Sequence, residues 1–286
     1  MQRRSCDRIV LGHVPVNAHR GSSAVTLISD PIFYLAAIPA VTFLGVSKGG
    51  FSGVGLLATP LLALVLPPLQ AAAILLPILI LQDLISVLAY RHDWDARNLK
   101  VMLPGSVIGV GAAWALAAHV SDAEVRLAVG AIALGFVFDH WFGGRRLELR
   151  HSTLPLGVFW GGVSGFTSTL CQAGGPPFQV HVLPQRLDKL TFVGTMAVFF
   201  AVLNLMKVVP YFALGQFSTA GLVTSVALVP LAIVTNFFGI WLVRVTPTAL
   251  FYSISYVLVF VVSLALIYNG LTGMLGDEFL IQYYSH

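Results

Sequence analysis

The chain has 286 residues, of which 57% are hydrophobic and only 10% are charged. A soluble domain carries about 25% charged residues, so this composition excludes a soluble globular protein and predicts an integral membrane protein. The net charge of +4 is modest, and its basic residues lie between the apolar stretches, where they set topology in the lipid bilayer and do not indicate a nucleic acid partner.

The N-terminal segment, residues 1–30, contains four arginines and no continuous apolar core. Because it lacks the apolar region and cleavage site of a secretory signal, we interpret it as a cytoplasmic tail that favours an N-in topology. The first membrane span is predicted at 31–48, since Asp30-Pro31 is a helix start signal with proline at the first helical position.

Residues 49–82 form an uncharged stretch of 34 residues that is too long for one helix across a membrane. A single helix of this length would measure about 51 Å at ~1.5 Å per residue. Pro67-Pro68 divides the stretch, which predicts a short half-helix or re-entrant segment at 52–66 and a full span at 69–90. Two further spans, at 98–118 and 124–142, complete a first repeat at 31–142, and an arginine-containing cytoplasmic linker follows at 143–152.

The second half repeats this plan. A predicted span at 153–170 leads to CQAGGPPFQVHVLP, a second Gly/Pro break followed by a short apolar piece. Gly45-Val46-Ser47 recurs as Gly162-Val163-Ser164, which supports two homologous halves, parallel or inverted. The prediction is therefore an all-α polytopic membrane protein with about eight spans and two broken segments. Its remaining segments are spans ending near 209 and at 217–243 and 248–270, a second repeat at 153–272, and a C-terminal tail at 273–286.

The two broken segments are the predicted binding site. Non-helical backbone at membrane depth must be buried or line a cavity, and half-helix N-termini present N–H groups that suit an anion. The alternative is that the glycines only permit close helix packing. The candidate binding residues are Lys48, Gly49, Gly50, Ser52, Ser168, Thr169, Gln172, Gly174, Gly175 and Asn204, with Ser47 as a further hydroxyl.

Lys48 is the most specific single feature, because a charge near the bilayer centre costs roughly 3 kcal/mol and needs a partner or a function. Three readings remain: an anion ligand, a lysine that extends to the interface, and a structural pair with Asp83. Asp83 is the other deeply placed charge, and it either neutralises Lys48 or takes up a proton during a transport cycle.

In the second half, Asn204 and Lys207 are three residues apart and share a helix face. Lys207 precedes Val208-Val209-Pro210, so we expect its ammonium to extend to the membrane interface, with charge balance or coupling as its functional role. Asn236 is predicted to form an interhelical hydrogen bond.

Cys171 and His181 invite a reading as an enzyme nucleophile or a metal site. They lack a third member at a diagnostic spacing, and the chain contains no Walker A, Rossmann or HExxH motif. We therefore predict no enzyme activity, no metal and no cofactor.

The sequence resembles the TauE/SafE family of sulfite exporters over about residues 32–268. The resemblance lies in FLGVSKGGFSGVGLLATPLLALVLPPLQAAAILLPILILQD and DWDARNLKVMLPGSVIG, and in SGFTSTLCQAGGPPFQVHVLP and FVGTMAVFFAVLNLMKVVPYFALGQF. Gln172 stands where the family pattern often has histidine. The motif residues present are Lys48, Gly49, Gly50, Asp83, Gly174, Gly175, Pro176, Pro177, Asn204 and Lys207.

The resemblance implies an inner-membrane permease that moves small sulfur-containing anions such as sulfite or organosulfonates. Together with the broken segments, it predicts a secondary transporter, an exporter, that works by alternating access with protons as the coupling ion. The alternatives are an uncoupled anion channel and an uptake permease for another small organic anion. A homo-oligomer is a further expectation.

Overall fold

The computed structural model describes residues 28, 30–51, 54–63, 65–66, 68–116, 121–142, 153–213, 215 and 217–284. The predicted tail at 1–30, apart from Ile28 and Asp30, the linker at 143–152, and Ser52 lie outside these residues. The described residues form two short 3-10 helices, Val54–Leu57 and Leu183–Gln185, and ten α-helices. The α-helices are α1 (Pro31–Gly49), α2 (Ala58–Ala63), α3 (Pro68–Ala89), α4 (Ala96–Leu116), α5 (Asp122–Phe142), α6 (Leu154–Cys171), α7 (Gly175–Val182), α8 (Lys189–Ala213), α9 (Thr219–Val245) and α10 (Thr248–Tyr284).

The all-helical membrane architecture predicted from the sequence is confirmed. Among the described residues, seven helices are long and apolar enough to cross a membrane: α1, α3, α4, α5, α8, α9 and α10. The remaining long helix, α6, has 18 residues, and the six glycines, serines and threonines that follow Gly161 in it lower its apolar content. Helix α10 continues to Tyr284, beyond the predicted end at 270.

Local sequence explains where the helices begin and break. The Asp30 carboxylate accepts a hydrogen bond from the Ile32 amide at 2.9 Å, and Pro31 occupies the first helical position, as predicted. Helix α1 ends because Gly50 has a φ of 142°, a conformation that residues with a Cβ rarely adopt. In the second half, Gln172 ends α6 in the left-handed conformation, with a φ of 57°.

The helices run between two ends of the molecule, each marked by a cavity. Ile28, Leu66 and Gln70 line a cavity with Phe217 and Gly221, and we call this the Ile28 end. His140, Arg186 and Asp188 line a cavity with Thr248 and Tyr252, and we call this the Arg186 end. These two ends give each helix a direction.

The first half starts at the Ile28 end and finishes at the Arg186 end. Helix α1 reaches Tyr90, whose hydroxyl donates to the Gly49 carbonyl at 2.7 Å, and the chain then turns back through α2. Leu62 in α2 packs with Phe33, near the start of α1. Helix α3 then runs to the Arg186 end, α4 returns to the Ile28 end, and α5 runs to the Arg186 end again. The first half therefore makes five passes.

The second half makes the same five passes in the opposite sense. Helix α6 lies parallel to α4 and ends near Tyr211, whose hydroxyl accepts from the Gln172 amide at 3.4 Å. Helix α7 turns back to the Arg186 end, where Gln185 and Asn98 exchange hydrogen bonds at 2.8 and 2.9 Å. Helices α8, α9 and α10 complete the set. The halves are therefore arranged as inverted repeats, which the sequence left open.

Equivalent contacts support this relation. Helix α1 packs against α9, and α6 packs against α4. In each half, the helix that leads into the break therefore lies against the fourth helix of the other half. Gly55 lies against Ser47 after the first break, as Gly174 lies against Ser164 and Ser168 after the second. The boundaries of the two repeats remain a prediction.

Glycines allow these helix pairs to approach closely. A Cβ on Gly49 would meet the backbone of Gly239, and a Cβ on Gly109 would meet the carbonyl oxygen of Gly162, in both cases well inside van der Waals distance. The packing role proposed for the glycines therefore accounts for Gly49, while other glycines line a cavity. Each of these two helix pairs contains a helix that ends at a break, α1 in the first pair and α6 in the second.

Candidate functional site

A cavity of about 80 Å³ lies where the two breaks meet. One buried water needs roughly 10–15 Å³ by this measure, so the cavity has room for one small oxyanion. Its polar lining comes from both halves: Ser47, Lys48, Asp83, Ser168, Gln172, Gly174, Gly175 and Asn204.

Three of the polar residues that line this cavity contact one another. The Lys48 ammonium lies 2.6 Å from Asp83 Oδ1, and the Asn204 amide donates to Asp83 Oδ2 at 2.6 Å. The Asp83 side chain is 2% exposed and that of Lys48 is 15% exposed. The pairing of Lys48 with Asp83, one of the readings left open by the sequence, is therefore the arrangement in this structure.

The end of α1 is fixed by polar side chains from α3 and α9. The Ser86 hydroxyl donates to the Lys48 carbonyl at 2.8 Å, and the Asn236 amide donates to the Gln82 carbonyl at 2.7 Å. The interhelical role predicted for Asn236 is confirmed. Burial raises the pKa of Tyr90 above its ordinary value, so its hydroxyl stays protonated and donates to the Gly49 carbonyl.

Lys207 lies at the second break. Its side chain is fully buried, and its ammonium donates to the Gln172 side-chain oxygen at 2.8 Å and to the Ser168 hydroxyl at 3.1 Å. The prediction that Lys207 extends to the membrane interface is wrong, because the side chain turns from α8 toward α6 and satisfies polar groups of the break. The shared face predicted for Asn204 and Lys207 points inward, and both residues are buried.

Three predicted binding residues do not line the cavity. Gly49 and Gly50 pack against α9 and Val193, and the Thr169 hydroxyl donates to the Gly165 carbonyl of its own helix at 2.8 Å. Hydroxyls of neighbouring residues instead hold the break: Ser164 donates to the Gly174 carbonyl at 2.7 Å and Thr167 to the Ala173 carbonyl at 3.0 Å.

The second break offers fewer backbone donors than a half-helix N-terminus usually provides. Helix α7 has eight residues, and Pro176 and Pro177 in its first turn have no N–H group. The amide of Phe178 already donates to the Gly174 carbonyl. The backbone N–H groups that can face an anion at this break are therefore those of Gly174 and Gly175. The two consecutive prolines in the sequence already indicate this restriction.

The sequence did not predict which apolar residues form the wall of the cavity. The Phe200 ring centroid lies 5.2 Å from the Lys48 ammonium, a cation–π distance, and Met196 and Ala197 lie on the same helix. These residues lie in a continuous apolar run that gives no signal of which face meets a ligand.

His181 is buried in α7 but does not line the cavity. The side chain of Cys171 lies outside what the structure describes. Within the described residues, no group of three or more His, Cys, Asp or Glu residues is placed to hold a metal ion.

Comparison with protein-family models matches residues 37–266 to the family described as sulfite exporter TauE/SafE. The matched range begins in α1 and ends in α10, so it contains both breaks and the cavity between them. Comparison with curated proteins and with solved structures gave no match.

Proposed function

The chain belongs to the sulfite exporter TauE/SafE family of membrane transporters, which is not an enzyme family, and we propose that it is a secondary transporter that exports sulfite or small organosulfonates across the cell inner membrane. The observation that carries this proposal is the cavity between the breaks, which combines a cation with neutral donors in a space for one small oxyanion. The substrate class follows the family, and the cavity supports it by size and polarity.

The proposed anion site is made by both halves. Lys48 supplies the charge, while Gln172, Asn204 and the Ser168 hydroxyl supply hydrogen bonds beside the Gly174 and Gly175 amides. The neutral donors are held in place by the fold, whereas Lys48 turns from Asp83 to the anion, and Phe200 and Met196 close the apolar side of the space.

Alternating access is the proposed mechanism. The inverted halves meet at Asp83 and Asn204, and the breaks give each half a segment that is short and not fully helical. Rocking of one half against the other around a fixed central site would expose that site first to one end and then to the other. Protons are the proposed coupling ion, with Asp83 and Lys207 as the groups that balance charge.

A ligand screen tests the anion site. The purified protein is heated with sulfite, sulfate, thiosulfate or isethionate, and with chloride as the control. We expect sulfite or isethionate to raise the apparent melting temperature, because a ligand that binds only the folded state stabilises it by about 2.7 kcal/mol at a hundred times its Kd. Equal melting curves in all these salts would contradict the proposed site.

Transport in proteoliposomes separates a carrier from the channel alternative. A coupled carrier saturates with sulfite concentration and responds to an imposed pH gradient, whereas an uncoupled channel does neither over the same range. Protein-free liposomes measure the leak of sulfite that the protein does not cause.

We also propose that the Arg186 end faces the cytoplasm. Arginine and lysine within the segments flanking membrane spans favour the cytoplasmic side. At the Ile28 end, Arg20 and Arg126 lie within about 20 residues of the end of a span, whereas Arg3, Arg4 and Arg8 are farther from α1 in the sequence. Nine residues belong to the segments at the Arg186 end: Arg91, Arg97, Lys100, Arg145, Arg146, Arg150, Arg186, Lys189 and Arg244.

This orientation differs from the one expected from the N-terminal arginines alone. Ile28 and His140 lie at opposite ends, so the N-terminal tail and the linker after Phe142 cannot both be cytoplasmic when each half makes five passes. The charge count favours the linker.

Cysteine labelling tests the orientation. In a Cys6→Ser, Cys171→Ser background, we expect Gln70→Cys to react with a membrane-impermeant maleimide in intact cells, because Gln70 is exposed at the Ile28 end. Arg91→Cys, exposed near the other end, should react only after permeabilisation. The reverse pattern would show that the N-terminus is cytoplasmic.

A further inference from the structure

The two carboxylate oxygens of Asp83 have different kinds of partner. Oδ2 accepts a hydrogen bond from Asn204, which is 2% exposed and has no net charge to lose or gain. Oδ1 lies 2.6 Å from the ammonium of Lys48, a long side chain that is 15% exposed and lines the cavity. Oδ1 is therefore the oxygen whose partner is free to move.

We propose that Asp83 Oδ1 is a proton-binding site, and that the substrate anion and Asp83 compete for Lys48, so that one proton binds with each anion. This inference rests on the proposed anion site and assigns its coupling. A proton on Oδ1 occupies the oxygen that now faces Lys48 and removes the carboxylate charge. The Asn204 bond to Oδ2 is compatible with both forms, so Asp83 keeps its position.

Charge balance makes the two binding events depend on each other. Lys48 and Asp83 form a pair with no net charge when the site is empty, and the same two groups with a bound monoanion and a proton on Asp83 again have no net charge. The buried Lys207 ammonium beside them keeps its charge and its partners in both states. An anion without the proton would lie beside a carboxylate, and a proton without the anion would leave Lys48 with no counter-charge. The first mixed state brings two anions close together and the second removes the counter-charge in contact with Lys48, and both are disfavoured in a buried site.

The polar groups that face Asp83 come from α1 and α8. From α1 it faces Lys48, and from α8 it faces Asn204, with Lys207 one helical turn farther along. Lys207 contacts Ser168 and Gln172 through its ammonium and needs no change when the anion binds. Among the described residues that line the cavity, Asp83 is the one carboxylate.

Competition for Lys48 fixes the relative direction of the two ions. A state that carries the anion also carries the proton, so both cross in the same direction. The cycle is reversible, and the gradients of the anion and of the proton together decide whether the anion leaves or enters. For a monoanion the step moves no net charge.

The experiment counts protons during sulfite binding. Isothermal titration of the purified protein with sulfite, in two buffers of different ionisation enthalpy at one pH near 8, gives the protons taken up per sulfite bound. We expect wild type to take up about one proton more per sulfite than Asp83→Asn, because the amide imitates the protonated acid and binds no proton. Subtracting the variant also removes the proton that sulfite itself exchanges. Asp93→Asn, at the Arg186 end and outside the cavity, is the matched control and should keep the wild-type count.

A second measurement needs no variant. The sulfite-induced infrared difference spectrum of wild type should show the carbonyl band of a protonated carboxyl group. Equal proton uptake by wild type and Asp83→Asn, or sulfite binding without this band, would overturn the coupling and leave the anion site standing. Failure of sulfite to bind wild type at all would overturn the proposed function together with this inference.

Discussion

We expect Lys48→Ala to abolish sulfite transport in proteoliposomes, while the protein still inserts into the membrane. Lys48 is the cation that lines the cavity, and its ammonium is the group closest to Asp83 Oδ1. Loss of a charge-assisted contact costs about 1.5–3 kcal/mol, and loss of the counter-charge of a buried anion costs more, so the initial rate should fall by at least roughly a hundredfold.

Two variants control for this result. Lys48→Met keeps most of the side-chain volume without the charge, so it should lose transport as Lys48→Ala does if the charge is what matters. Lys189→Ala removes a lysine whose ammonium donates to the Thr246 carbonyl at the Arg186 end, and it should retain transport. Wild-type rates in Lys48→Met would contradict an anion site built on Lys48.

The second large effect is expected from Gly109→Leu, which should prevent α4 and α6 from packing. A Cβ on Gly109 would lie well inside van der Waals distance of the Gly162 carbonyl oxygen, which belongs to helix backbone and cannot rotate away. Overpacking commonly lowers the free energy of unfolding by about 1–3 kcal/mol. A clash with the backbone of a neighbouring helix, where α4 and α6 are in close contact, should lower it by more. We expect little folded protein, measured as monodisperse material after detergent extraction.

Gly111→Leu is the matched control, because Gly111 lies on the same helix and a Cβ there would meet no atom within 4 Å. Leucine is also a better helix former than glycine, by up to about 1 kcal/mol, so this variant should extract normally. A similar loss of monodisperse protein in both variants would show that Gly109 is not required for the packing of α4 against α6.

The helices and both breaks were predictable because their causes are local. Lack of charge over some 20 residues marks a span, and Asp30-Pro31 and Pro67-Pro68 mark starts that the structure places at Pro31 and Pro68. The direction of the second half was not predictable, since it depends on whether α2 and α7 return along the bundle, and this is a matter of tertiary packing.

The candidate site was predictable in its parts but not in its contacts. Glycines at the breaks and the isolated charges pointed to Lys48, Asp83 and Asn204. Their mutual arrangement depends on α3 meeting α8, which no local pattern reveals. Lys207 was misread because proximity to Pro210 suggested a helix end, whereas α8 continues through that proline to Ala213 and keeps the ammonium inside.

The meeting of Asp83 with Asn204 has a consequence for how such a chain can arise. The two residues hold comparable places in the inverted halves and touch each other, so in a dimer of two identical halves they would be the same amino acid. Two aspartates in this position would repel each other, and two asparagines would leave Lys48 without a counter-ion. Joining both halves in one polypeptide allows one side to be acid and the other amide. A single negative charge at the centre therefore requires two halves of different sequence and cannot be made by symmetric assembly of two identical halves.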